Sequence, residues 1–116
     1  MNLDAIFNSV LSHSRGYSMG SLWQSLDVEL SGAGMAYQDQ TDIFLLLLKS
    51  LLHRGVIRLA LEGEYIEGDA DHQIQILKRA WPNTASDLEA EMGLWFLVNA
   101  PAGIVWITPE GDEIWT

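Results

Sequence analysis

Apolar positions recur along the start of the chain at the three- and four-residue spacing of helices. Leu3, Ile6, Phe7, Val10 and Leu11 predict a helix from about Leu3 to His13, ending before Gly16. Ser18 or Ser21 can cap a second helix in which Leu22, Trp23, Leu26 and Leu30 form the inner face, Asp27 and Glu29 turn outward, and Gly32 and Gly34 close the end. From Asp42 the pattern changes. Ile43 to Leu48 run unbroken, and Leu51 and Leu52 follow Lys49 and Ser50, so apolar side chains point in every direction around a helical pitch. This predicts a central buried helix over residues 42–54, capped by Asp39 or Thr41 and ended by His53, Arg54 and Gly55.

Beyond Gly55 the period shortens to two. Ile57, Leu59 and Leu61 share one face, Arg58 and Ala60 the other, and Tyr65 and Ile66 lie on the return strand, giving a hairpin over about residues 56–67 around Glu62 and Gly63. A two-residue loop would set Arg58 opposite Glu67 as an ion pair, but glutamate suits the required positive φ poorly. A longer loop with Gly63 left-handed is the alternative. Gly68 breaks the strand, and Asp69 caps a helix that turns Ile74, Leu77 and Ile76 inward and ends at Trp81 before Pro82. Ser86 with Glu89 reads as a capping box for a fifth helix presenting Leu88, Met92, Trp95, Phe96 and Leu97 to the core, up to Pro101 and Gly103. The segment over about residues 103–116 reads as a second hairpin, with tryptophans in both strands and a turn at Pro109 to Asp112. The pattern therefore predicts one α+β domain over residues 1–116, with about five helices and two β-hairpins. Because a lone two-stranded ribbon is marginal in water, the hairpins are expected to join into one small antiparallel sheet.

Composition narrows the classes. A hydrophobic content of 48% with five tryptophans in 116 residues argues against disorder. The absence of cysteine excludes disulfides, thiolate metal sites and a cysteine nucleophile, and permits a reducing compartment. No basic flank precedes a long apolar core at the start. The Ile43–Leu52 run is interrupted by Lys49 and falls short of the roughly 20 residues of a membrane span. The expectation is a cytoplasmic protein without a membrane partner.

Charge changes the picture most. Residues 1–58 hold five acids and four bases, whereas residues 59–116 hold eleven acids and two bases, so nearly all of the net charge of −10 lies in the second half. Such a field opposes binding to any phosphate backbone and favours partners with basic surfaces, although an acidic surface also serves solubility alone.

Catalytic and metal chemistry find little support. His72 near Asp69 and Asp71 could suggest a hard-metal site, yet Asp69 is more simply a helix cap and Asp71 a partner of the helix dipole. His13 and His53 sit near helix ends, where a cation is favoured, and no nucleophile–base pair can be drawn from spacing. Gly32-Ala33-Gly34 lacks the preceding strand and the further glycine of a dinucleotide turn. Helices before a two-stranded wing invite comparison with a winged-helix DNA reader, but the helix in the recognition position carries leucine where Arg, Lys, Asn or Gln is needed. The expectation is a protein that is not an enzyme, with no cofactor, no metal and no nucleic-acid partner.

One cluster stands out as a candidate partner-binding surface. Glu62, Glu64, Glu67, Asp69 and Asp71 place five carboxylates in ten residues with no base between them, spread over a turn, a strand end and a helix start. A solvated face is the plain reading. Carboxylates held on turns and caps are more rigid than those of a tail, however, and can steer a basic protein and then pair with its Lys and Arg. Asp87, Glu89 and Glu91, and Glu110, Asp112 and Glu113, form two further groups.

The leucine-rich helix running into LLHRGVIRLA, the following EGEYIEGDADHQIQILKRAWP and the ending PAGIVWITPEGDEIWT together resemble a small uncharacterised bacterial family, a domain of unknown function. Its members occur as immunity proteins beside polymorphic toxins of the contact-dependent growth inhibition or multiple-adhesin type. The resemblance covers most of the chain after about Thr41, and its motifs are structural, so no functional residue is carried across. It implies a cytoplasmic protein that binds and blocks a cognate toxin, often a nuclease. The alternative is a non-catalytic structural or regulatory module that self-associates, as a homodimer, through its apolar elements.

Overall fold

The computed structural model describes residues 2–116. Five helices and four strands follow in the order α1 (Leu3–Ser14), α2 (Met19–Leu30), α3 (Tyr37–His53), β1 (Ile57–Leu61), β2 (Glu64–Tyr65), α4 (Ala70–Ala80), α5 (Ala85–Val98), β3 (Gly103–Ile107) and β4 (Glu113–Trp115). The two hairpins do join. The strands form one antiparallel sheet in the order β2-β1-β3-β4, with Ile57 opposite Trp106 and Leu59 opposite Ile104. These four side chains are almost wholly buried, and they make the inner face onto which the helices pack. That shared apolar face explains why β1 seeks β3 across the intervening helices.

The helical half supplies the rest of the core. Leu22, Leu26, Phe44, Leu47, Leu48 and Leu51 are at most 1% exposed. Beside them an aromatic cluster runs from α2 to α5: Trp23 lies 5.2 Å from Phe44 and 5.5 Å from Trp81, and Trp81 lies 4.9 Å from Trp95. These are ring separations at which aromatic pairs gain attraction beyond simple burial. The Trp106 indole N–H donates to the Tyr17 carbonyl at 2.7 Å, tying the sheet to the α1–α2 turn.

Several local expectations are corrected. The central helix begins at Tyr37 rather than Asp42, and its N-cap, Ala36, offers no side-chain hydrogen bond; Asp39 lies in the first turn and Thr41 is buried within the helix. Tertiary contacts extend it. Tyr37 packs edge-on against Trp23 and donates its hydroxyl to the Pro82 carbonyl at 2.8 Å, and the buried Gln40 amide donates to Asp27. Nor is this helix buried all round, because Gln38, Asp42 and Leu46, spaced by four, form a solvent-facing strip on which Leu46 is 48% exposed. The fifth helix is capped not by the Ser86–Glu89 box but by Thr84, whose hydroxyl accepts the Asp87 N–H at 3.1 Å. In β1, Leu61 is 48% exposed and Ala60 is buried, the reverse of their alternation, because Leu61 sits at the hairpin tip beyond the reach of the helices.

The first hairpin closes with a two-residue loop. Leu61 pairs with Glu64, and Glu62 (φ +53°) and Gly63 (φ +82°) are both left-handed, the signature of a type I′ turn. Glutamate is tolerated at the first of these positions because the sheet twist fixes the turn type.

Candidate functional site

The five carboxylates of the candidate cluster are all exposed and follow the free edge of the sheet. Glu62 is in the turn, and Glu64 opens the edge strand β2. Glu67 lies between that strand and α4, and Asp69 and Asp71 occupy the start of α4. Two already have structural roles. Asp69 is the N-cap of α4, accepting the His72 backbone N–H at 2.8 Å. Asp71 pairs with Lys49 of α3 at 2.5 Å. The hydrogen bond from Lys49, reinforced by its charge, holds the Asp71 carboxyl below the usual value of 3.8. Glu62, Glu64 and Glu67 are the part of the cluster without a counter-ion among the described residues.

The outer face of the sheet carries a second arrangement. Arg58 does not pair with Glu67. Its guanidinium lies 3.5 Å from the centre of the Tyr65 ring, and the other neighbour of that ring is Trp115, stacked at 5.2 Å and 28°. The reason is geometric: the last backbone bond of this hairpin runs from Ile66 N–H to the Leu59 carbonyl, so Glu67 is not held opposite Arg58, and the ring offers a fixed cation–π partner instead. The three side chains roof the buried Ala60 and Val105. Beside them opens a cleft of about 1010 Å³ whose lining includes Arg58, Glu67, Gln73 and Glu113. The Tyr65 hydroxyl is buried there without a hydrogen-bond partner.

The histidines have structural surroundings. The His13 ring is hydrogen-bonded to the Ser9 carbonyl at 2.8 Å. The His72 ring packs over Gly68, where a Cβ would come within 2.5 Å of it; with φ at +102°, only glycine fits that corner. Among the described residues no group of three or more His, Asp or Glu is placed to hold a metal ion. No helix of the structure is long and apolar enough to cross a membrane.

Spacing does not reveal what happens in α5. Ala90 leaves the helical region, and Glu91 (φ +52°), Met92 (φ +62°) and Gly93 (φ +80°) form a left-handed turn before the helix resumes. Met92 and Leu97, expected to face the core, are 100% and 82% exposed. In an unbroken helix Leu88, Met92 and Trp95 would stack on one face, and the left-handed turn removes Met92 from it. The only sequence signal for the break is Gly93. Between this segment and α2 lies a groove of about 420 Å³, bordered by Trp23, Asp27, Leu88, Glu89, Met92 and Leu97.

The fold and its surface define a small α+β protein in which helices cover one face of a four-stranded antiparallel sheet. Residues 52–116 match the family described as a protein of unknown function, DUF596, and the chain belongs to that family. The whole architecture is similar to that of an uncharacterised protein conserved in bacteria from Neisseria meningitidis. That likeness has 29% sequence identity and a TM-score of 0.77, and covers 97% of this chain and 85% of that one. No curated protein matches the chain.

Proposed function

We propose that this protein is an immunity-type inhibitor, acting in the cytoplasm by binding rather than by catalysis, and that its partner is a toxin domain with a basic, nuclease-like surface. The observation that carries this reading is the concentration of charge: eleven acids against two bases in residues 59–116, with Glu62, Glu64 and Glu67 exposed along a sheet edge without a counter-ion among the described residues. A nuclease attracts phosphates and so presents a positive cleft, and a rigid negative edge can enter it or close it from the side. The same field repels nucleic acid itself.

Co-expression with the product of the adjacent reading frame tests the proposal. A stable complex is expected, and reversing Glu64 and Glu67 together to lysine slows association by about tenfold or more at low salt and less at high salt. If the double reversal leaves both on-rate and affinity unchanged, the acidic edge is not the binding surface. Self-association is the second reading, favoured by the exposure of Met92 and Leu97 and opposed by a net charge of −10 on every copy. Mass in solution, measured with and without the partner, separates the two.

A further inference from the structure

From the geometry of α5 we infer that the groove between α2 and α5 receives the apolar side of an amphipathic, lysine- or arginine-flanked segment of a partner protein. Two non-glycine residues, Glu91 and Met92, hold left-handed conformations there, which side chains bearing a Cβ disfavour. Their effect is to take a methionine spaced for the core and place it in water. Met92 is then wholly exposed at the rim of a groove of about 420 Å³ whose walls include Trp23, Leu88 and Phe96. Phe96 and Leu97 also line an adjoining groove of about 240 Å³ that reaches Leu61 and Trp115 at the sheet. The two share Phe96 and Leu97 and so run on as one track of mixed lining, apolar walls alternating with Ser18, Ser21, Gln24 and Asp27, with the flexible, polarizable Met92 at its rim, the kind of surface that adapts to the two sides of an amphipathic helix.

Charge selects the occupant. Asp27 and Glu89 border the first groove and Glu62 the second, and neither is lined by a lysine or arginine. A second copy of this chain, at −10, would bring acid to acid; a segment with apolar residues on one side and cations flanking them satisfies both the walls and the rim. The inference takes from the proposed function only that the partner is a basic protein, and it moves the anchor from the edge strand to the helical side.

The test uses a short leucine–lysine peptide patterned as an amphipathic helix, and a scrambled peptide of the same composition and charge with its leucines scattered. With the full chain, the patterned peptide is expected to bind at least about tenfold tighter than the scrambled one, and to shift the NMR signals of Gly20–Asp27 and Leu88–Leu97. Leu97→Glu, at a position exposed enough to leave folding intact, should weaken binding by about tenfold, while Leu46→Glu, on the solvent strip of α3, leaves it unchanged. Equal binding of the two peptides, no effect of Leu97→Glu, or shifts centred on Glu62–Asp71 would each overturn the groove as the anchor. A dimer in solution that Leu97→Glu dissociates would overturn the basic partner as its occupant. No toxin enters the experiment, so its failure is distinct from a failure of the inhibitor reading.

Discussion

Replacing Glu62 by asparagine should stabilise the protein. Glu62 holds φ +53° at the first position of the β1–β2 turn, and Gly63 follows at +82°. A left-handed residue with a Cβ costs about 1–2 kcal/mol, and asparagine recovers part of that because its short side chain hydrogen-bonds locally in the left-handed region. A gain of about 1 kcal/mol is expected, or about 4 °C in Tm for a protein of 116 residues. Two companions separate the causes. Glu62→Gly relieves the same conformation but loosens the unfolded chain, which offsets about 0.5–1 kcal/mol, so its gain is smaller. Glu62→Gln removes the charge next to Glu64 and keeps the strain, and an exposed charge contributes only about 0.3 kcal/mol. Urea unfolding followed by tryptophan fluorescence suits the measurement, because Trp23, Trp81, Trp95 and Trp106 are all buried. The expected order is Asn, then Gly, then Gln. If glutamine gains as much as asparagine, charge and not backbone geometry governs this turn; if asparagine loses stability, the account of the turn is wrong.

Asp69→Ala should destabilise the protein by about 1 kcal/mol through loss of the α4 cap, whereas Asp71→Ala, which removes only an exposed ion pair, should shift the urea midpoint far less; equal losses would assign the effect to charge rather than to the cap. Tyr37 gives a pH signature. Burial raises its phenol above the ordinary value of 10.0, so the folded state favours the neutral form; this stability is complete below pH 10.0 and is lost as pH rises through the folded value. Tyr37→Phe, lacking the hydrogen bond to Pro82, should be less stable by about 1 kcal/mol at neutral pH, with the deficit shrinking above pH 10.0; a deficit that stays constant into strong alkali would contradict the burial argument.

What the sequence made legible follows from the range of the physics involved. α1, α2 and α4 were readable because local spacing and capping decide them: Ser18 and Asp69 cap where the pattern places them. The joining of the hairpins was readable because Ile57, Leu59, Ile104 and Trp106 need a common cover. The start of α3 was not, because Tyr37 and Gln40 are drawn into the helix by Trp23, Pro82 and Asp27, none of which is near in sequence. The break in α5 was hidden for a different reason. Glu91 and Met92 are ordinary helix formers, so propensity argues for continuity where the chain turns left-handed. The candidate surface was legible as a set of exposed acids, but not in its division: Asp69 and Asp71 serve the fold, while Glu62, Glu64 and Glu67 remain along the edge. The grooves beside α5 left only Gly93 as a hint.

The Trp106–Tyr17 hydrogen bond spans 89 positions of sequence. It bears on the match over residues 52–116, which begins within the last turn of α3 and so contains the sheet but almost none of the three helices that close its inner side. Cut free at Leu52, that portion would keep α4 and α5 but lose the cover that α1, α2 and most of α3 give to the shared core, and with it the carbonyl that the indole holds. The stretch by which kinship is recognised is therefore half of a clasp. In this chain the helical half completes it, since both halves contribute to one continuous core.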